Sequence, residues 1–142
     1  MESRSAVERL VASQHRRLDS MFAEVLGALR EGEPAPAVRA AFARTRAQVE
    51  QHLAAEDRIY GPALSGASAL APMQRATLAA VAAEHDELRA RIGRVAEAIG
   101  GDGFAAVEPL LEALAADLER HEATEEDLLL RIGKELGDDL ES

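Results

Sequence analysis

The stretch Val49-Glu50-Gln51-His52-Leu53-Ala54-Ala55-Glu56-Asp57-Arg58-Ile59-Tyr60 carries a histidine and a glutamate four positions apart inside an apolar stripe. Four residues is about one helical turn, so the ring and the carboxyl stand on the same face. The same spacing recurs at His121-Glu122-Ala123-Thr124-Glu125. A helix that turns a histidine and a glutamate toward its apolar side needs partner helices bearing matching polar groups, because buried polar atoms are costly unless paired or ligated.

Partners exist. The chain has four histidines, at 15, 52, 85 and 121. Val7, Leu10, Val11, Leu18, Phe22, Val25 and Leu29 form a first stripe around His15, at spacings of three and four. The second stripe, Val38, Phe42, Val49, Leu53 and Ile59, holds His52. Leu78, Val81, Leu88, Ile92, Val95 and Ile99 surround His85, and Leu110, Leu111, Leu114, Leu118, Leu128 and Ile132 surround His121. Breakers separate the stripes: Gly32, Pro34 and Pro36; Tyr60-Gly61-Pro62 and a loop over 63–71; and Gly100-Gly101-Asp102-Gly103. Pro72 suits a first helical turn. The pattern predicts an all-α chain, an antiparallel up-down-up-down four-helix bundle over about residues 6–133. It forms a single domain within 1–142, whose last helix closes near Gly133 or Gly137 ahead of an acidic tail at 137–142.

Composition agrees. Of 142 residues, 47% are hydrophobic but only 3% aromatic, which suits close-packed helices better than a sandwich of sheets. There is no cysteine, so disulfides, thiolate zinc sites and thiol catalysis are excluded. A net charge of -10 argues against nucleic acid and anionic membranes as partners. No apolar run approaches the ~18 residues of a membrane span, and the charged start Met1-Glu2-Ser3-Arg4 lacks the apolar core of a secretory signal. The expected location is the cytoplasm.

The two halves repeat. His15 and His85 are 70 positions apart; His52 and His121, like Glu56 and Glu125, are 69 apart. Each half supplies one lone histidine and one HxxxE turn. Counting from the connections at 1.5 Å per residue puts His15 level with His52, and His85 level with His121, to roughly 3 Å. If the second helix stops at Tyr60, His52 and His85 miss each other by about 8 Å. A lone histidine on an apolar face is commonly a satisfied core residue. Four of them with two glutamates in one layer point instead to a metal site.

Six nitrogen and oxygen donors without sulfur suit iron, manganese or zinc. Two carboxylates and four imidazoles divide into two ions, each with two histidines and one oxygen from each glutamate. Such ions keep open positions for an oxo or hydroxo bridge and a small exogenous ligand, which a closed structural zinc site would not need. Iron is therefore expected ahead of zinc or manganese.

The pattern His15 … His52-xxx-Glu56 … His85 … His121-xxx-Glu125 resembles the hemerythrin-like (HHE cation-binding) family over nearly the whole chain, from about Ala6 to Ile132. The resemblance implies a non-haem di-iron centre with His15, His52, His85 and His121 as terminal ligands and Glu56 and Glu125 as bridges. Oxygen-carrying hemerythrins have a fifth histidine four residues from the third-helix one, but here those positions are Val81 and Arg89. They also have Asp where this chain has Glu125. The four-histidine pattern looks like members that handle iron, peroxide or nitric oxide. The implied ligands are dioxygen, peroxide or nitric oxide. Peroxide breakdown, oxidation of a small molecule and metal-responsive sensing are all compatible activities. No residue is assigned a catalytic role.

Five further residues stand near this pattern. Tyr60, the only tyrosine, is one turn beyond Glu56 and could pack at the layer's edge or contact an exogenous ligand. Asp19, four residues past His15, reads as a solvated carboxylate or one standing behind the ligands rather than a ligand, and Arg89, four past His85, reads as snorkelling to the surface, with positive charge near a bound anion as its other reading. Glu50 and Glu119, two residues before their histidines, fall on the outer face.

Overall fold

The structure is a computed structural model and describes residues 5–65, 70–101 and 104–141. The loop positions 66–69, Asp102 and Gly103 of the glycine cluster, Met1 to Arg4 and Ser142 lie outside the described residues.

Four long helices account for nearly all of it, and no strand occurs among the described residues. They are α1 (Ala6–Arg30), α2 (Ala35–Leu64), α3 (Pro72–Gly100) and α4 (Val107–Glu141), the last preceded by one 3-10 turn, Phe104–Ala106. No helix among the described residues is long and apolar enough to cross a membrane. Local sequence sets the helix ends. The Ser5 hydroxyl accepts a hydrogen bond from the Glu8 amide at 3.1 Å and caps α1. Gln74 reaches back to the Ala71 amide at 3.1 Å to start α3. Gly32, at φ +70°, makes the turn after α1 in the left-handed region that a side chain would resist.

Two helix ends differ from the sequence expectation. α2 does not stop at Tyr60 but runs through Gly61 and Pro62 to Leu64. Pro62 lies in the last turn and forfeits the bond an N–H there would give to the Arg58 carbonyl, a loss offset by Tyr60 and Ala63, which are buried in the core on either side of it. The extension removes the misfit between the middle helices. His52 is 12 residues before the end of α2 and His85 is 13 after the start of α3, so the two rings fall at the same level. α4 likewise passes Gly133 and Gly137 and continues to Glu141. A helical glycine costs about 0.5–1 kcal/mol, whereas burying Leu136, which is fully enclosed, returns about 1.5–3 kcal/mol.

Each helix packs on its neighbours, α1 on α2 and α4, and α3 on α2 and α4. The core is in two parts. One apolar cluster contains Leu18, Phe22, Val49, Leu53, Leu88 and Leu118. The other contains Val11, Tyr60, Leu78, Val81, Leu129 and Ile132. His15, Glu56, His85, His121 and Glu125 come between the two clusters in sequence, and His52 sits beside Leu53, the last α2 residue of the first cluster, so a polar layer divides the apolar interior.

Candidate metal centre

All six residues of that layer are buried, with exposures between 0% and 4%. Each helix contributes. α1 and α3 each give one histidine, and α2 and α4 each give a histidine and the glutamate one turn later. The stripe residues beside them (Val11 and Leu18, Val49 and Leu53, Val81 and Leu88, Leu118) are buried, which fixes the helix faces and points the rings inward.

The carboxylates lie between two pairs of rings. Glu56 Oε2 is 3.1 Å from His52 Nε2 and 3.7 Å from His15 Nε2, while its other oxygen is 3.2 Å from His85 Nε2. Glu125 divides the same way. Its Oε1 is 2.8 Å from His15 Nε2, and its Oε2 is 3.6 Å from His121 Nε2 and 3.8 Å from His85 Nε2. The six side chains thus form two groups, His15–His52–Glu56–Glu125 and Glu56–His85–His121–Glu125, which share both glutamates. In each, one donor atom per residue lies within 4.8 Å of the others.

The chemistry of these atoms fits a cation. Both oxygens of Glu56 and of Glu125, and the Nε2 atoms of His15, His85 and His121, are buried without a hydrogen-bond partner. Leaving so many polar atoms unsatisfied costs roughly 1–3 kcal/mol each, and a cation touching all of them would offset that cost. In the metal-free protein protons take part of this role. Burial alone would lower the His15 and His85 pKa values, but Glu125 and Glu56 raise both to about 10. His121 is raised in the same way, against burial, by Glu125 and Glu84. Burial disfavours ionised Glu125, yet Glu56 and the imidazoles of His121, His15 and His85 hold it well below the ordinary carboxyl value.

A second ring of residues, absent from the sequence reading, holds the far nitrogens of the imidazoles. His52 Nδ1 meets Gln14 Oε1 at 2.5 Å, and His121 Nδ1 meets Glu84 Oε2 at 2.6 Å. His85 Nδ1 meets Asp57 Oδ1 at 2.8 Å. Glu126 Oε2 is 3.4 Å from His15 Nδ1, which makes no hydrogen bond. Arg89 does not snorkel free but donates to Asp57 Oδ2 at 2.8 Å, so it stands behind the Asp57–His85 pair. The signal was present in the repeat. Gln14 and Glu84 each precede a lone histidine, and Asp57 and Glu126 each follow an HxxxE glutamate.

Such backing carboxylates fix imidazole orientation and raise ligand basicity.

The remaining candidates fall as follows. Tyr60 is fully buried at the edge of the layer, its ring 6.3 Å from that of His85 and its hydroxyl without a hydrogen-bond partner. Burial, with Glu125 and Glu56 close by, pushes the phenol far above its ordinary pKa, so it stays neutral. Glu50 is exposed and pairs with Arg46, and Glu119 is exposed. Asp19 is exposed but borders Glu122, a buried residue that sequence reasoning missed. Burial, opposed by His15 and reinforced by Asp19 and Glu126, lifts the Glu122 carboxyl to about 9.

Comparison with protein families matches the hemerythrin HHE cation binding domain over residues 7–132. The chain belongs to that family. The match spans all four histidines, both HxxxE turns and the residues behind them. Comparison with curated proteins and with solved structures finds no match. This HHE domain is a metal-binding protein by family and by its buried histidine–glutamate cluster, whose nitrogen and oxygen donors suit iron, manganese or zinc.

Proposed function

We propose that the protein is a non-haem di-iron protein in which His15, His52, His85 and His121 are terminal ligands and Glu56 and Glu125 bridge the two ions. It would bind or react with dioxygen, peroxide or nitric oxide. The observation that carries this reading is the division of each carboxylate, one oxygen toward His15 or the His15–His52 pair and the other toward His85 or the His85–His121 pair. A single mononuclear site would leave half of these donors unused.

The reading takes the four helices as an antiparallel up-down-up-down bundle. Arg30, at the end of α1, bonds Glu108 and Glu112 at the start of α4, while Ser5, at the head of α1, lies against Gly133 far along α4. Bound iron would supply electrons and open coordination positions to a small ligand. The chain's own residues set the terms. Glu56 and Glu125 would hold the cations, and His52, His85 and His121, fixed by their Nδ1 partners, keep those donors oriented. The apolar clusters on both sides keep bulk water out and strengthen every charge inside. The burial of all six residues suits a diatomic or peroxide rather than a bulky substrate. Tyr60 presents a neutral hydroxyl beside the two carboxylates, where it would donate a hydrogen bond to an exogenous anion.

The test is iron content and spectrum. Protein produced with ample iron should carry two irons per chain, absorb in the near ultraviolet and change that absorption on adding azide. A protein that takes up no iron, or one zinc per chain, overturns the assignment.

A further inference from the structure

The internal repeat makes the inner layer symmetric, but the residues behind it are not. The four residues facing the Nδ1 atoms occupy equivalent positions, Gln14 against Glu84 and Glu126 against Asp57, yet the first pair differs in charge and the second in contact, Glu126 standing 3.4 Å from His15 Nδ1 without a hydrogen bond. In the His15–His52 half, His52 leans on a neutral amide and His15 Nδ1 has no hydrogen bond. In the His85–His121 half, both rings are hydrogen-bonded to carboxylates, Asp57 at 2.8 Å and Glu84 at 2.6 Å. Arg89 shares the charge of Asp57, so the Glu84–Gln14 difference is the larger of the two.

The surroundings extend the contrast. The cleft outside His52 is lined by the amides Gln14, Gln48 and Gln51 with Arg58 and no carboxylate, while the cleft outside His121 is lined by Glu84, Glu87, Asp117 and two arginines. Arg91 and Arg120 there are both engaged by Asp117, which leaves Glu84 to His121.

A carboxylate accepting the Nδ1 proton pushes electron density to Nε2 and makes it the stronger donor to a cation. An amide oxygen does so less, and an unbonded Nδ1 not at all. We propose that the two halves of the site are unequal cation sites, the His85–His121 half being the tighter, and that Glu84 and Gln14 are the positioning residues that set the difference. The proposal rests on the dinuclear reading above.

Zinc titration of the metal-free protein, followed by the nitrogen resonances of its four histidines, tests it. The first equivalent should shift His85 and His121, and the second His15 and His52. The affinities should differ by about 10–100-fold, the range over which such partners act. Glu84→Gln, isosteric and at a half-exposed position, should bring the two steps together, and Gln14→Glu should do so from the other side by tightening the second. Parallel shifts of all four histidines in wild type, first occupation of the His15–His52 half, or no change of order or spacing in either variant overturns the inference while leaving two ions bound. A chain that binds no zinc or iron overturns the dinuclear reading with it.

Discussion

At the residue scale the centre is a set of polar atoms that the fold buries and does not satisfy, and each invites a different substitution. Tyr60 is the simplest. Its hydroxyl is enclosed without a hydrogen-bond partner, so Tyr60→Phe removes a desolvated donor and nothing else. Denaturant unfolding of the metal-free chain should show stability equal to or about 1 kcal/mol above wild type. Azide affinity of the iron-loaded protein should fall about two- to tenfold, the equivalent of one net hydrogen bond. Unchanged azide affinity would make Tyr60 a packing residue only. Glu122 behaves differently because it is held as a neutral acid. Its folded-state pKa, about 9, is above the ordinary 4.5 of a glutamate. A folded pKa raised above the unfolded one means the folded state favours the proton, so the associated stability is present at low pH and declines from about 4.5 up through 9. Glu122→Gln should match wild type in acid, where both side chains are neutral. It should be more stable by about 1–3 kcal/mol at pH 10, where wild type must bury a charge. Parallel stability profiles for the two proteins would refute this account of Glu122.

At the element scale the helices carry glycines with opposite consequences. Gly93, within α3, has nothing within 4 Å of the place a Cβ would take. Gly93→Ala should therefore stabilise by about 0.5–1 kcal/mol through helix propensity alone. At Gly133 an added Cβ runs into the Ser5 hydroxyl, the group that caps α1. Gly133→Ala should destabilise by about 1–2 kcal/mol, since both the close approach and the cap are disturbed. Thermal unfolding of the two variants, with shifts of opposite sign, checks the pair. Gly133 also shows what the sequence conceals. Hydrophobic period and breakers place four helices and turn His15, His52, Glu56, His85, His121 and Glu125 inward, but they leave His52 and His85 about 8 Å out of level. The ends of α2 and α4 were not legible, because Pro62 and Gly133 are tolerated only through burial of Tyr60, Ala63 and Leu136 by other helices. The ring of Nδ1 partners was hidden for the same reason. The contacts of Asp57 with His85 and Gln14 with His52 join residues 28 and 38 positions apart, and only the packing of one helix on the next decides them.

At the scale of the whole molecule, folding and metal binding are linked through the same atoms. In the metal-free protein, His15 and His85 have pKa values of about 10 against the ordinary 6.5, because their protons stand between carboxylates. Each contributes stability in full below about 6.5 and loses it as pH climbs through about 10, so the empty bundle should weaken steadily across that window. A cation bound at the same nitrogens replaces those protons. Loading near pH 8 should release protons, visible as a calorimetric heat that varies with the ionisation enthalpy of the buffer. The loaded protein should hold its stability up to pH 10 and lose it in acid, where protons compete for the imidazoles. At free metal a hundredfold above its dissociation constant, the gain for one site is about 2.7 kcal/mol. The two forms should then have pH–stability slopes of opposite sign, with chelator converting one into the other. Denaturant unfolding at several pH values from 6 to 10, with metal and with chelator, decides the matter. Slopes that coincide would mean that protons and metal do not share a site, and the histidine–glutamate layer would have to be a closed hydrogen-bond network instead.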